Sequence, residues 1–280
     1  MSDTTPIWFI TGASSGLGRA LAEAVLARGW RAALTARNSE RLAELAAQHG
    51  EQALVLTLDV TDGRSIDRAI TVAEAHFGKI DVLVNNAGYG YLAAIEEGED
   101  AEIRAQFETN VFGLIAVTRK VLPGMRARRG GHIFNVSSLG GLVAFAATGY
   151  YHATKFAVEA LSESLAQEVK PLGIKVTILE PGAFRTDWAG RSMIESRTII
   201  DDYAETAGKR RAATRAVSGK QPGDPARAAA AIIAAYEAEE PPLRLLLGAP
   251  VLKIARDRLD ALRANFDAWA EVTLSTDFPA

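Results

Sequence analysis

The chain has 280 residues, 48% hydrophobic and 23% charged, enough to bury one large core. A net charge of −3 leaves no overall field to attract nucleic acid or anionic membrane. The absence of cysteine excludes disulfides, zinc–thiolate sites and cysteine nucleophiles, and no metal site is expected.

The polar start Met1–Pro6 and the apolar stretch Ile7–Ile10 are far shorter than the roughly 20 residues of a membrane span. A cytoplasmic protein with neither a membrane nor a nucleic-acid partner is therefore expected. Short apolar runs then alternate with amphipathic stretches. Strands are expected at Ile7–Ile10, Ala32–Thr35, Leu54–Leu58, Val82–Val84, His132–Val136, Lys175–Leu179 and Arg244–Leu247. Most are continuous rather than alternating, as in parallel strands covered on both faces. Helices are expected over Leu17–Arg28, Ser39–His49, Ser65–Phe77, Ala101–Arg128, Tyr150–Lys170 and Pro225–Glu237. Arg28-Gly29 and His49-Gly50 supply glycine stops for the first two. This alternation predicts an α/β fold, a Rossmann-type doubly wound parallel sheet with helices on both faces, in one domain over residues 1–280. Two segments break it. Residues 182–224 are long for a connection and are read as a substrate lid, or else as a disordered basic insertion. Val251–Trp269 has the spacing of a helix whose apolar face docks on the domain or on another subunit.

Thr11-Gly12-Ala13-Ser14-Ser15-Gly16-Leu17-Gly18 follows the first strand and opens a helix, the context that gives a glycine-rich turn its meaning. Gly12 permits a tight turn, Gly16 admits a pyrophosphate to the backbone, and Gly18 lets the helix pack closely. The spacing GxxxGxG is not that of the common dinucleotide fingerprint, and three glycines here can also be purely structural. The second strand ends Thr35-Ala36-Arg37-Asn38. Where an NAD site places a carboxylate for the ribose 2′-hydroxyl, Ala36 has none, and Arg37 offers donors for a 2′-phosphate. NADP(H) is the expected cofactor, unless Arg37 is an isolated surface arginine. Asp59, ending the third strand, can accept from an adenine amino group or merely close a turn.

Tyr151 and Lys155 stand one helical turn apart on one face. A nearby ammonium lowers a phenol's pKa from about 10, making it a usable acid or base. Ser138 ends the fifth strand thirteen residues upstream, at the edge where open α/β sheets bind ligands. Its hydroxyl, rather than that of Ser137, is expected to orient a substrate carbonyl. Asn110, an indifferent helix former inside a helix, can hold a water leading to Lys155, or be satisfied by its own helix. Leu142, Phe145, Phe184 and Trp188 are expected to line an apolar substrate pocket, with a core role beneath the lid as the alternative.

Together TGASSGLG at 11–18, Asp59-Val60, NNAG at 85–88, Asn110, NVSS at 135–138, YHATK at 151–155 and PGAFRT at 181–186 resemble the short-chain dehydrogenase/reductase family, single-domain branch. The resemblance runs from about residue 5 to residue 187. It implies that Tyr151 is the acid/base, that Lys155 lowers its pKa and binds the nicotinamide ribose, and that Ser138 and Asn110 are catalytic. It further implies cofactor contacts at Gly12, Ser14, Ser15, Gly16, Leu17, Gly18, Val60, Asn86, Ala87, Gly88, Pro181, Gly182 and Thr186, the last holding the carboxamide. Residues 146–188 are similar to the retinol and hydroxysteroid dehydrogenase subgroup. That implies a lipophilic ketone or alcohol (steroid, retinoid or aryl ketone) as substrate, and a homodimer or homotetramer. A β-ketoacyl thioester held through Lys209, Arg210 and Arg211, or a non-catalytic NADP-binding protein, are the alternatives.

Overall fold

The structure, a computed structural model, describes residues 5–186, 188, 190 and 192–278. Four residues of the polar start and three in the 182–224 segment lie outside the described residues.

β1 (Ile7–Ile10) is wholly apolar and leads through the glycine-rich turn into α1 (Gly16–Ala27). β2 (Arg31–Ala36), α2 (Ala43–His49), β3 (Ala53–Thr57) and α3 (Gly63–Phe77) follow. Gly29 and Gly50 take left-handed φ of 74° and 54° at the two predicted stops. Asp62 starts α3 by accepting from the Arg64 amide at 3.0 Å. Next come β4 (Val82–Asn85), β5 (Gly90–Leu92), α4 (Asp100–Phe107) and α5 (Leu114–Arg128). α4 and α5 form the helix predicted over 101–128, but a wider π-helical turn at Glu108–Gly113 joins them. β6 (Gly131–Val136), α6 (Gly149–Val169) and β7 (Ile174–Pro181) complete the central part.

The 182–224 segment is neither structureless nor a plain loop. It contains β8 (Met193–Glu195) and α7 (Lys209–Ala216), and β8 pairs parallel with β5. α8 (Pro225–Glu237), capped by Asp224 with proline in its first turn, leads to β9 (Arg244–Leu247). α9 (Ala249–Ala268) and α10 (Ala270–Leu274) end the described chain.

The main sheet is parallel throughout, in the order β3-β2-β1-β4-β6-β7-β9. The order reverses between β1 and β4, and at such a switch point the connections leave in opposite directions and open a crevice at the carboxyl ends. Strand alternation feeds two cores. Trp8 and Ile10 pack with Leu21 of α1 and Ile232 of α8, while Phe9 and Leu83 pack on the other side with Ile70, Val117 and Ile133.

α9 docks on the domain only through its start, where Val251 and Ala255 are buried. Leu259, Phe266 and Trp269 further along it are 65%, 64% and 60% exposed. Among the described residues, no helix is long and apolar enough to cross a membrane.

Candidate active site

The crevice is built first by the turn after β1. Gly12 and Gly16 adopt φ of 65° and 59°, a region disfavoured for other residues. A Cβ on Gly12 would lie 3.0 Å from Ala87 Cα, so a side chain would close the floor between β1 and β4. Thr11 locks this floor. Its hydroxyl accepts from the amides of Asn86 and Ala87 at 2.9 and 3.0 Å and donates to the Val84 carbonyl at 3.2 Å. The Asn86 amide nitrogen in turn donates to the carbonyls of Thr11 and Gly12, both at 3.0 Å. Gly18 does not line the crevice. A Cβ there would run into Asn86 and lie 2.6 Å from the Gly12 carbonyl, so this glycine permits close packing rather than ligand contact.

From this floor a cavity of about 1250 Å³ extends along the carboxyl edge. Gly12, Ser14, Ser15, Gly16 and Leu17 line one wall, with Arg37, Asp59 and Val60 at the ends of β2 and β3. Asn86, Ala87 and Gly88 follow from the loop after β4, then Ser138, Tyr151 and Lys155, then Pro181, Gly182 and Thr186 after β7. Asp59 also closes a turn, its Oδ1 accepting from the Thr61 amide and hydroxyl at 2.9 and 2.7 Å. Six of the seven separated sequence motifs, with Arg37, thus meet in one continuous space.

At its centre Tyr151 and Lys155 rise from the first turns of α6, both buried. The Lys155 ammonium donates to the Val136 carbonyl at 2.8 Å and lies 5.6 Å from the centre of the Tyr151 ring. Burial lowers Lys155 to about 8, against the opposing pull of the Glu159 carboxylate. Burial pushes the Tyr151 phenol up to about 12, with the Ser138 hydroxyl acting in the opposite direction. This departs from the expected fall in the phenol's pKa, because loss of hydration outweighs every neighbour. The phenol consequently keeps its proton across the neutral range, the state a proton donor needs. The two serines divide as alternation predicts: Ser137 turns to Glu159, while Ser138 caps the next turn by accepting from the Gly140 amide at 3.0 Å.

Two further expected site residues lie off the cavity. Asn110 does not line the cavity. It is buried in the π-helical turn, where its Nδ2 donates to the Tyr89 carbonyl at 2.9 Å and the Thr154 hydroxyl at 3.1 Å. Its Oδ1 accepts from the Tyr89 amide at 3.0 Å, so the amide group is committed to holding the loop after β4. Leu142 does not line the cavity either, because the tight turn Leu139–Gly141 carries the chain past its wall. Phe145 and Trp188 do line it, and Phe184 both lines it and packs in the core.

The sequence reading missed two features, and it named a third, Arg210, only for the thioester alternative. Thr11 stood unremarked inside its own motif. His152, beside the phenol, accepts from the Phe145 amide through Nδ1 at 3.1 Å, which places its ring proton on Nε2. Burial and the Arg210 cation lower His152 to about 4, keeping it neutral. Arg210 itself reaches the cavity from α7.

The family model described as short chain dehydrogenase matches residues 6–195. A protein of Botryotinia fuckeliana called oxidoreductase BOA17 is 41% identical over 273 residues, covering 97% of this chain and 99% of its own. A crystal structure of a short-chain dehydrogenase from Streptomyces avermitilis superposes with a TM-score of 0.93 at 46% identity, covering 99% and 100% of the two chains. An alcohol dehydrogenase from Thermococcus sibiricus complexed with 5-hydroxy-NADP is 26% identical, with a TM-score of 0.71 and coverage of 87% and 96%. Other solved relatives hold NADH or NADP. The chain belongs to the short-chain dehydrogenase family of oxidoreductases.

Proposed function

We propose that this protein is an NADP(H)-dependent oxidoreductase interconverting a ketone and a secondary alcohol, with Tyr151 as the acid/base. The observation that carries the reading is the convergence of Ser138, Tyr151 and Lys155 in the cavity that also contains the glycine-rich turn. The residues fit a dinucleotide: the floor at Gly12 tolerates no side chain, and the backbone at Gly12–Leu17 opens at a helix start suited to phosphate. Asp59 and Val60 would hold the adenine end. Asn86, Ala87, Gly88, Tyr151 and Lys155 would hold the middle of the cofactor, and Pro181, Gly182 and Thr186 its nicotinamide end. A bound nicotinamide cofactor supplies or accepts the hydride. Ser138 orients the substrate oxygen, Tyr151 gives it a proton in reduction, and Lys155 stabilises the phenolate left behind.

Arg37 supports the choice of NADP(H): it lines the cavity at the end of β2, directly after buried Ala36. Arg37→Asp should lower the ratio of kcat/KM for NADPH over NADH by roughly 10- to 100-fold, the worth of a charge-assisted contact. Equal use of both cofactors by the unaltered enzyme would remove the preference.

Apolar Phe145, Phe184, Trp188 and Met193 in the wall support a bulky lipophilic carbonyl of steroid, retinoid or aryl type. The thioester alternative loses support, because Lys209 pairs with Glu205 and Arg211 with Glu97. The fold is read as one domain with 182–224 as its lid, in a cytoplasmic protein. Phe112 in the turn before α5, and Phe156 and Leu161 on α6, stand 52%, 43% and 40% exposed, which supports self-association through this face as a homodimer or homotetramer. Light scattering should give two or four times 29.9 kDa; a mass of 29.9 kDa would contradict it.

A further inference from the structure

Four cations crowd the stretch from Lys209 to Arg215: Lys209, Arg210, Arg211 and Arg215. Three have carboxylate partners: Lys209 with Glu205, Arg211 with Glu97 and Arg215 with Glu195. Arg210 has none among the described residues. Its guanidinium carbon lies 4.9 Å above the centre of the Phe145 ring, and the side chain borders the cavity. Stacking uses the flat face of a guanidinium, so the N–H fork in its plane is left open.

Ring contacts place that fork relative to the reacting group. The Tyr151 and His152 rings are 5.8 Å apart, His152 and Phe145 are 5.5 Å apart, and Arg210 covers Phe145. The carboxylates bordering the cavity belong to Asp59, at the end of β3, and Glu108, in the π-helical turn. That turn packs against Val60 through Gly113, so both acids lie on the side of Arg37. At the other end the wall is apolar (Phe145, Trp188, Met193, Val217), and neutral His152 adds no competing charge. An unpaired fork of donors at the rim of an apolar wall matches a carboxylate on an apolar arm, which an arginine grips with two parallel hydrogen bonds.

We propose that Arg210 determines substrate specificity by binding a carboxylate carried on the apolar arm of the carbonyl substrate. This rests on the reading of the cavity as a carbonyl reductase site. It narrows the substrate class to lipophilic oxo-acids and their hydroxy-acid products. Because Arg210 is exposed, the preference is screened by salt.

The test pairs 4-acetylbenzoate and longer (4-acetylphenyl)alkanoates with their methyl esters as substrates for wild type, Arg210→Met and Arg210→Lys. Wild type should favour an acid over its ester in kcat/KM, less so as sodium chloride is added. Arg210→Met should lower the acid-to-ester ratio by about 10- to 100-fold, with Arg210→Lys between the two. An unchanged ratio in Arg210→Met, or no acid preference in wild type, overturns the proposal. Should neither acid nor ester be reduced, it is the carbonyl reading that fails, and calorimetry then decides the anion site. NADPH-loaded wild type should bind 4-butylbenzoate more tightly than 4-butylbenzamide, and Arg210→Met should lose that difference. Equal affinity in wild type overturns the anion site independently of turnover.

Discussion

Tyr151→Phe is expected to reduce carbonyl reductase turnover by roughly 10²- to 10⁴-fold, the range set by loss of a positioned general acid. The ring remains, so its contacts with His152 and Trp188 persist and the fold should be unaffected. NADPH affinity, followed by quenching of protein fluorescence, should stay within a few-fold of wild type. Activity in Tyr151→Phe within a factor of ten of wild type would assign the proton to another group. The pH profile is a second readout of the same pair. Burial holds Tyr151 up at about 12 and Lys155 down at about 8, so the phenol keeps its proton while the ammonium loses its own as pH rises through about 8. In the proposed mechanism that cation stabilises the phenolate formed on proton delivery. The kcat/KM for reduction should therefore fall above about pH 8, and Lys155→Met should be slow throughout and lack that fall.

The second large effect concerns the 182–224 segment. Glu97, with no exposed side-chain surface, holds this segment to the loop after β5. Its two carboxylate oxygens accept from the Ala94 amide at 2.8 Å and the Ile200 amide at 2.9 Å, and Arg211 meets the same carboxylate. The Glu97 carbonyl also accepts from the Ser196 hydroxyl at 2.6 Å. Arg211→Met strands a buried carboxylate, which costs about 3–5 kcal/mol. For a chain of this size that lowers the thermal midpoint by roughly 10 °C, or opens the segment locally with faster exchange at the Ile200 amide. An unchanged midpoint together with unchanged exchange would contradict this. Burial alone would raise the Glu97 pKa, but the Ile200 and Ala94 amides and Arg211 outweigh it and hold it below the ordinary range. Stability from a lowered carboxyl is present above its unfolded pKa and lost as pH falls through the folded value. The gap in stability between wild type and Glu97→Gln should accordingly narrow in acid.

Legibility followed physical cause. Ile7–Ile10 (IWFI) is buried at every residue and reads as an unbroken apolar run, whereas Ile174–Pro181 is legible although Lys175, Thr177 and Glu180 interrupt it. β5 and β8 have three residues each, too few for any period to register. The π-helical turn at Asn110 was invisible because local preferences do not distinguish it from α-helix, though an awkward asparagine marked the place. Arg211 defeated composition outright: a basic run reads as solvated surface, yet this one side chain is buried on an acid 114 residues away. Leu142 failed for a neighbouring reason, since proximity in sequence to Ser138 does not survive a tight turn. The cavity motifs other than Tyr151 and Lys155, which α6 carries, meet because each sits where a strand ends, and in a parallel sheet those ends share one edge.

Isotope transfer tests the central claim most directly. With NADPH dideuterated at C4 of its nicotinamide ring and an unlabelled aryl ketone, mass spectrometry of the alcohol formed should show one deuterium on the carbinol carbon. Alcohol without deuterium, or no alcohol from any ketone of the steroid, retinoid and aryl classes, would contradict the assignment.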